Sequence, residues 1–401
     1  MKILVLNAGS SSQKSALYQL ENPLPNQPIV PLWEGQIDWQ KNDTAQMSIT
    51  CQSGAKLEQE LSSQNRETAI AKLLDTLYQG ETQVIQSLAE IDGVGHRVVH
   101  GGAKYREAVQ ITSEVETAIA SLIPLAPEHN PINLQGIQAL RQKLPDIPQF
   151  AVFDTAFHST IPQKAAVYPI PYRFFEQGIR RYGFHGISHQ YSSQRIVQIL
   201  GKSPQNLITC HLGNGASLAA VQKGVCIDTT MGYTPLEGVM MGSRSGSIDP
   251  GILVHLLRQG EQVEDLNHLL NQESGLKGVS GISHDLRLIL AAIQEGNLQA
   301  QLAFDVYVHR LRRQVGAMFG VLGGLDALVF TGGLGEHSPE IRQQTCQAFA
   351  NLGLELDEAK NQENPVDAEI STPDSTIGVV VIRARENFAI ATECWRLLSA
   401  I

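Results

Sequence analysis

The chain has 401 residues, a formal net charge of −10, 42% apolar and 17% charged residues. Such a length predicts about two or three domains, and the composition supplies sizeable cores and excludes a disordered protein. The acidic balance argues against nucleic acid or an anionic membrane as partner, because both reward clustered Lys and Arg; an anionic substrate would have to be held by a few placed arginines.

Ile3 to Leu6 form an apolar run too short for a signal-peptide core or a membrane span, and suit a buried strand. The run breaks into Asn7-Ala8-Gly9-Ser10-Ser11-Ser12, with Lys14 two residues beyond. The N–H and O–H groups of such a turn can surround phosphate oxygens, and the Asn7 carbonyl suits a hard cation. An ordinary Gly/Ser hairpin turn is the plainer alternative. Lys14 to Leu20 read as a second strand, and Pro23, Pro25, Pro28 and Pro31 mark a connection. Met47, Ile49 and Cys51 alternate with polar residues, as a half-buried strand does. Ile70, Leu73, Leu74, Leu77 and Tyr78 fall at helical spacing, with Gly80 as the stop.

Gly95 to Gly102 place Arg97 at the end of a short apolar run, where it could clamp a carboxylate or phosphate through two N–H groups. A surface loop arginine is the alternative. Ser113 with Glu116 predicts a capping box and a helix. His129 lies in the rigid context Ala126-Pro127-Glu128-His129-Asn130-Pro131. Phe150 to Phe153 read as a strand ending in Asp154, which could bind magnesium or cap a helix. Tyr182 to His189 hold His185 and His189 four residues apart without H-E-x-x-H, so a zinc hydrolase is a weak reading. His185, between an aromatic residue and a glycine, could donate to a developing charge.

The second half repeats the opening: Leu207 to Leu212 is a strand, Gly213-Asn214-Gly215 a turn, and Ala216 to Leu218 a strand again. Another strand is expected over Gly224 to Asp228. The repeat suggests an internal duplication. Met241-Gly242-Ser243-Arg244-Ser245-Gly246 sets a second arginine among glycines, which let backbone approach a ligand closely. Two such arginines could neutralise a transferring phosphoryl group. Leu311, Val315, Met318, Phe319 and Leu322 form one stripe of a long helix, for a core or subunit interface. Ala327 to Thr331 then give a strand, Gly332 to Gly335 a glycine turn, and Ser338-Pro339 the start of a helix. Gly378 to Ile382 form the last strand, followed by Glu386 and a final helix. The five cysteines are scattered without C-x-x-C, as in reduced cytosolic proteins; with no targeting segment, a soluble cytoplasmic protein is expected.

Three glycine turns at strand ends, with neither G-x-x-x-x-G-K-[ST] nor G-x-G-x-x-G, leave a nucleotide site made of two hairpins and a nucleoside loop. That arrangement resembles the superfamily of acetate and sugar kinases, chaperone ATPases and actin. Within it the segments named above, together with Phe153 to His158 and Thr234 to Gly238, resemble the acetate kinase family over nearly the whole chain. The resemblance implies an α/β protein with a duplicated ribonuclease H-like (actin-like ATPase) fold and an interdomain cleft. It implies an N-terminal domain over 1–154, completed by the helix 384–401, and a nucleotide-binding and dimerisation domain over 155–383. It further implies a homodimer catalysing ATP + acetate ⇌ ADP + acetyl phosphate with Mg²⁺, Mn²⁺ being an alternative ion.

Residue by residue, the resemblance gives Asn7 and Glu386 as metal positions. Lys14, with Ser10 and Ser12 of the opening turn, faces the phosphates. His211, Leu212, Gly213, Asn214 and Gly215, then Asp285, Leu286 and Arg287, then Gly333, Leu334, Gly335, Glu336 and His337, match its ATP-contacting segments. Arg97 matches the substrate arginine, His185 and Arg244 the groups that stabilise the transition state, and His129 a further active-site histidine. Asp154 matches the catalytic acid, for which orienting metal-bound water or Arg97 is the expected role. Val99, Phe184 and Pro235 match walls of the methyl pocket. The chain departs from the family at Glu128, where an apolar residue is usual, and at His337, Ser247 and Asn387, in place of Asn, Asp and a second acid. The competing readings are propionate or butyrate as acceptor, a non-catalytic nucleotide-dependent protein, and a metallohydrolase.

Overall fold

The computed structural model describes residues 1–9, 12–39, 44–62 and 65–400. The phosphate-facing role expected of Ser10 therefore lies outside the described residues. The chain divides into two compact units, Met1–Ala156 with Arg385–Ile401, and Phe157–Ala384.

In the first unit the strands are β1 (Lys2–Ala8), β2 (Ser12–Gln19), β3 (Trp33–Trp39), β4 (Ala45–Cys51), β5 (Lys56–Leu61), β6 (Gly93–Val98), β7 (Val109–Gln110) and β8 (Gln149–Phe153). Among the described residues they make one sheet in the order β5-β4-β3-β2-β1-β6-β8-β7. β1 and β2 pair antiparallel with Asn7 opposite Lys14, while β1 runs parallel to β6 and β6 to β8. A central strand of this kind is covered on both faces, which is why Ile3 to Leu6 are all buried. The C-terminal helix Glu386–Leu398 packs on β1 and β6. Gly95 makes that approach possible: a Cβ there would lie 2.5 Å from Cys394 Sγ and 2.7 Å from Ile390 Cγ2. This glycine in front of Arg97 is thus required by packing.

The second unit has β9 (Asn206–Leu212), β10 (Ala216–Gln222), β11 (Val225–Thr229), β12 (Ala327–Thr331), β13 (Ala368–Glu369) and β14 (Gly378–Val381). Their order is β11-β10-β9-β12-β14-β13. β9 pairs antiparallel with β10 and β10 with β11; β9 runs parallel to β12 and β12 to β14. The same senses run through β3-β2-β1-β6-β8. The duplication suggested by the two strand–turn–strand starts is thus present in the topology of both units.

Three local expectations shift. The helix Arg66–Asp75 ends before Leu77, whose side chain is buried from the following turn. The helix expected at Ser113 is capped by Thr112, whose hydroxyl accepts from the Val115 N–H, so Ser113 is already inside it. The glycines after β12 form the short helix Gly332–His337 rather than a turn. Gly332 enters it at φ +78°, where a Cβ would lie 2.8 Å from Leu212 O, so only glycine admits this close crossing of the β9 end. The long helix Leu298–Leu322 buries Leu311, Val315, Met318 and Leu322 as expected, whereas Phe319 of the same stripe is only partly buried. Among the described residues no helix is long and apolar enough to cross a membrane.

Candidate functional site

In the first unit the ends of parallel strands gather polar side chains, as α/β sheets do at their carboxyl edges. Asn7 comes from β1, Arg97 from β6, Asp154 follows β8, and Glu386 opens the C-terminal helix. Asp154 Oδ2 accepts two hydrogen bonds from Arg97, at 2.6 Å from Nη2 and 3.0 Å from Nε. The carboxylate is 1% exposed and the arginine side chain 14%. Arg97 Nη1 donates to Asn7 Oδ1 at 3.3 Å, and Asn7 Nδ2 donates to Glu386 Oε2 at 2.9 Å and Asn387 Oδ1 at 3.3 Å. Burial works against the charge of Arg97, but Asp154 and Glu386 outweigh it and hold the guanidinium above its ordinary value. The four expected residues are therefore one connected polar cluster.

Next to it, the loop after β6 is tied down by two asparagines that the sequence did not flag. Asn133 Oδ1 accepts from Val99 N at 3.1 Å while its Nδ2 donates to Ala8 O at 3.3 Å. Asn130 accepts from His100 N and donates to His100 O, both at 3.2 Å. Val99 is buried. His129 precedes this helix, Asn130–Lys143, at its N-cap. Glu128 is exposed. Lys14 is exposed too, and Gly9 N donates to Ser12 O at 2.8 Å to close the opening turn.

In the second unit His185 stands at the N-cap of the helix Gly186–Leu200 with φ 56° and ψ 23°, a left-handed conformation rare outside glycine. Such strain persists only where surrounding contacts over-determine it. Here His185 Nδ1 lies 2.9 Å from Ser217 Oγ, and its ring stacks on His211 at 4.3 Å between centroids. His211 Nδ1 lies 2.8 Å from Ser188 Oγ. A Cβ on Gly215 would sit 3.3 Å from His185 Nε2 and 3.5 Å from Arg244 Nη1, so the β9–β10 turn, His185 and Arg244 border one space. Arg244 Nη1 donates to Pro235 O at 3.4 Å, and Gly242 N to Asn214 O at 3.1 Å. Phe184 is buried, its carbonyl accepting from His158 Nε2 at 2.9 Å. Burial pushes His158 down to about 4, so this ring is a neutral donor.

Other expected nucleotide residues are placed by structural bonds. Glu336 Oε1 accepts from Gly332 N at 3.0 Å and Ala384 N at 2.8 Å. Arg342, fully buried, donates to Gly335 O at 2.9 Å and Glu336 O at 2.8 Å, clamping the glycine helix. Nothing in the local sequence distinguishes Arg342 from a surface arginine. Asp285 caps the helix Leu286–Gln294, accepting from Arg287 N at 2.9 Å, and pairs with the Arg287 guanidinium at 2.6 Å. Gly333 and His337 are exposed and Leu334 partly so. The segment Thr234–Gly238 that carries Pro235 is anchored by Arg181, which donates to Glu237 Oε1 at 2.7 Å.

Within the second unit, the His185 ring and the Arg244 guanidinium beside the β9–β10 turn suit an anionic group. Comparison with known proteins is consistent with that chemistry. The model of the acetokinase family matches residues 2–392. The chain is 58% identical to an acetate kinase of Acaryochloris marina, covering 98% of this chain and 99% of that one, and 58% identical to an acetate kinase of Nostoc punctiforme, covering 99% and 100%. Among solved structures it matches the Porphyromonas gingivalis acetate kinase at TM-score 0.90 and 41% identity, covering 99% of both chains. It matches a propionate kinase from Francisella tularensis at TM-score 0.90 and 37% identity, covering 98% and 99%.

Proposed function

The chain belongs to the acetokinase family, and from that premise we propose how its residues carry phosphoryl transfer between ATP and acetate. The reaction is ATP + acetate ⇌ ADP + acetyl phosphate, with the nucleotides as co-substrates. A carboxylate is ionised at pH 7 and attacks the γ-phosphorus without a general base. Catalysis therefore rests on alignment and on neutralising charge at the phosphoryl oxygens.

The observation that carries the reading is the doubly bonded Arg97–Asp154 pair. Asp154 has its Oδ2 committed to Arg97, which suits an orienting role and not proton transfer. Arg97, its Nε–Nη2 edge so fixed, takes the acetate carboxylate or the acyl phosphate. His185 and Arg244 donate to the phosphoryl group as charge moves. His129 is a further active-site histidine. Val99, Phe184 and Pro235 bound the acetate methyl, and the exposure of Glu128 keeps its charge in solvent. Ser12, Lys14 and His211 to Gly215 bind phosphates; Asp285 to Arg287 and Gly333 to His337 border the nucleoside.

Glu386 and Asn7 are the residues that would hold Mg²⁺. Asn7 turns its Nδ2 toward Glu386 and its Oδ1 toward Arg97; with the amide turned over, one carboxylate and one amide oxygen would fit an ion that keeps several waters and completes its shell with substrate phosphates. An ion held there would supply positive charge that offsets the charge of the nucleotide phosphates. A homodimer is supported by helices of the second unit that expose apolar side chains: Ile252, Val254 and Leu257 at 47%, 48% and 45%, and Leu288 at 54%. Five buried free cysteines suit a reducing cytoplasm.

The direct test is acyl-hydroxamate formation with acetate, propionate or butyrate, with and without ATP. Acetate with ATP is expected to give the highest kcat/KM. Product without ATP, or none with any carboxylate, overturns the reading.

A further inference from the structure

His185 is held by more than its neighbours in sequence. Behind it, inside the second unit, lies a line of buried polar groups that the reaction does not touch. Ser217 Oγ, fully buried on β10, is 2.9 Å from His185 Nδ1 and 2.8 Å from His189 Nε2. His189 Nδ1 is 2.7 Å from Thr209 Oγ1 on β9. Both His189 and Thr209 are 0% exposed.

The direction of this line follows from its closed end. Among the described residues the Thr209 hydroxyl has one polar neighbour, His189 Nδ1. A buried hydroxyl proton with no acceptor is costly, whereas unused hydroxyl lone pairs cost less, so Thr209 donates. His189 Nδ1 is then the acceptor, and its proton sits on Nε2 and goes to Ser217 Oγ. Ser217 has one proton to give, and its remaining partner is His185 Nδ1. His185 must then carry its own proton on Nε2, the nitrogen that borders the space beside Gly215 and Arg244. The scheme needs a neutral His189, since an imidazolium would donate from both nitrogens and reverse the Thr209 bond. Burial, with His158 and His211 beside it, pushes this ring well below the ordinary histidine range. Those two histidines are its titratable neighbours: the His158 ring lies 5.5 Å and the His211 ring 6.4 Å away, between centroids.

We propose that Thr209, His189 and Ser217 are positioning residues, a directed chain of hydrogen bonds that fixes His185 as the Nε2–H tautomer and aims that donor at the transferring phosphoryl group. The aim rests on the reading of His185 given above; the tautomer does not. The chain also accounts for the left-handed backbone of His185. The ring must reach back to Ser217 while the helix that carries His189 starts immediately after it, and His185 O accepts from His189 N at 3.0 Å.

The test uses full-length protein with ring-¹⁵N histidine, observed by two-bond ¹H–¹⁵N correlation near pH 7.5. His185 is assigned by the signal lost in His185→Asn. Wild type is expected to show protonated Nε2 and unprotonated Nδ1. Ser217→Ala is expected to populate the Nδ1–H form and to lower kcat by about tenfold, with KM for acetate and ATP within about twofold. In the His185→Asn background the same change is expected to have no further effect. Because Ser217→Ala also strands a buried His189 N–H, Thr209→Val provides the second variant, with the same direction expected and Thr209→Ser restoring both readouts. Nδ1–H in the wild type, or an unchanged tautomer and kcat in folded Ser217→Ala and Thr209→Val, overturns the proposal. An Nε2–H signal in a protein without phosphotransfer would support the chain and count instead against the role given to His185.

Discussion

Arg97 and Asp154 meet through a single carboxylate oxygen, Oδ2, which takes both the Nε and the Nη2 protons of the guanidinium. One edge of the arginine is thereby fixed, and the pair sits almost wholly out of water. We therefore propose that Asp154 orients Arg97 first, ahead of any contact with metal-bound water.

Asp154→Asn keeps the shape and removes the charge. Breaking the buried pair leaves Arg97 with Glu386 in place of the two acids that hold its charge, at a cost of about 3 kcal/mol. We expect kcat/KM for acetate to fall on the order of 100-fold, with the apparent Mg²⁺ constant changed less than the acetate KM. Steady-state kinetics with acetate and Mg²⁺ varied separately check this; the reverse ranking would assign Asp154 to the metal.

Glu386→Gln should show the opposite pattern. Among the described residues its carboxylate is the one acid bonded to Asn7, since Asn387 contributes only an amide oxygen. Loss of that charge is expected to raise the Mg²⁺ concentration for half-maximal rate by about tenfold or more. Titration of activity with Mg²⁺ at fixed ATP reads it, and an unchanged midpoint argues for a purely structural Glu386.

Burial lowers His96, His100 and His158 each to about 4. Their folded pKa lies below the unfolded value of about 6.5, so the unfolded chain binds more protons at acid pH. The stability they contribute is complete above about pH 6.5 and is lost as pH falls from there toward 4, at up to about 3 kcal/mol per ring. Thermal unfolding at pH 7.5, 6 and 5 should show Tm falling across this window. His96→Gln, with Gln149 as its partner, should flatten the fall. A Tm independent of pH over that range would contradict neutral burial.

Val99→Ala tests the acyl pocket. The side chain is 2% exposed, and its loss should cost about 1 kcal/mol of stability and make room for one more methylene. The propionate-to-acetate ratio of kcat/KM is expected to rise by about tenfold. An unchanged ratio would remove Val99 from the pocket wall.

Much of this was legible in the chain. The strand–turn–strand starts at Asn7 and Asn214 announced the duplication because a buried strand and a glycine turn are both local signals. What stayed hidden depends on distant partners. Asn133 reaches Val99 and Ala8, Arg342 reaches Gly335, and Ser217 joins His185 to His189. No neighbouring residue reveals such bonds. The glycine run Gly332–His337 signals a turn in the sequence but is helical, because its first glycine, Gly332, serves a crossing over Leu212. Either hydroxyl could serve as the cap expected of Ser113, and the Thr112 side chain is the one that accepts from Val115 N.

The most direct measurement is ATP formation by the purified protein from ADP and acetyl phosphate, compared with propionyl phosphate under the same conditions. The account predicts ATP from acetyl phosphate with the higher kcat/KM, dependent on Mg²⁺. No ATP from either acyl phosphate, or faster turnover of the propionyl compound, would contradict it.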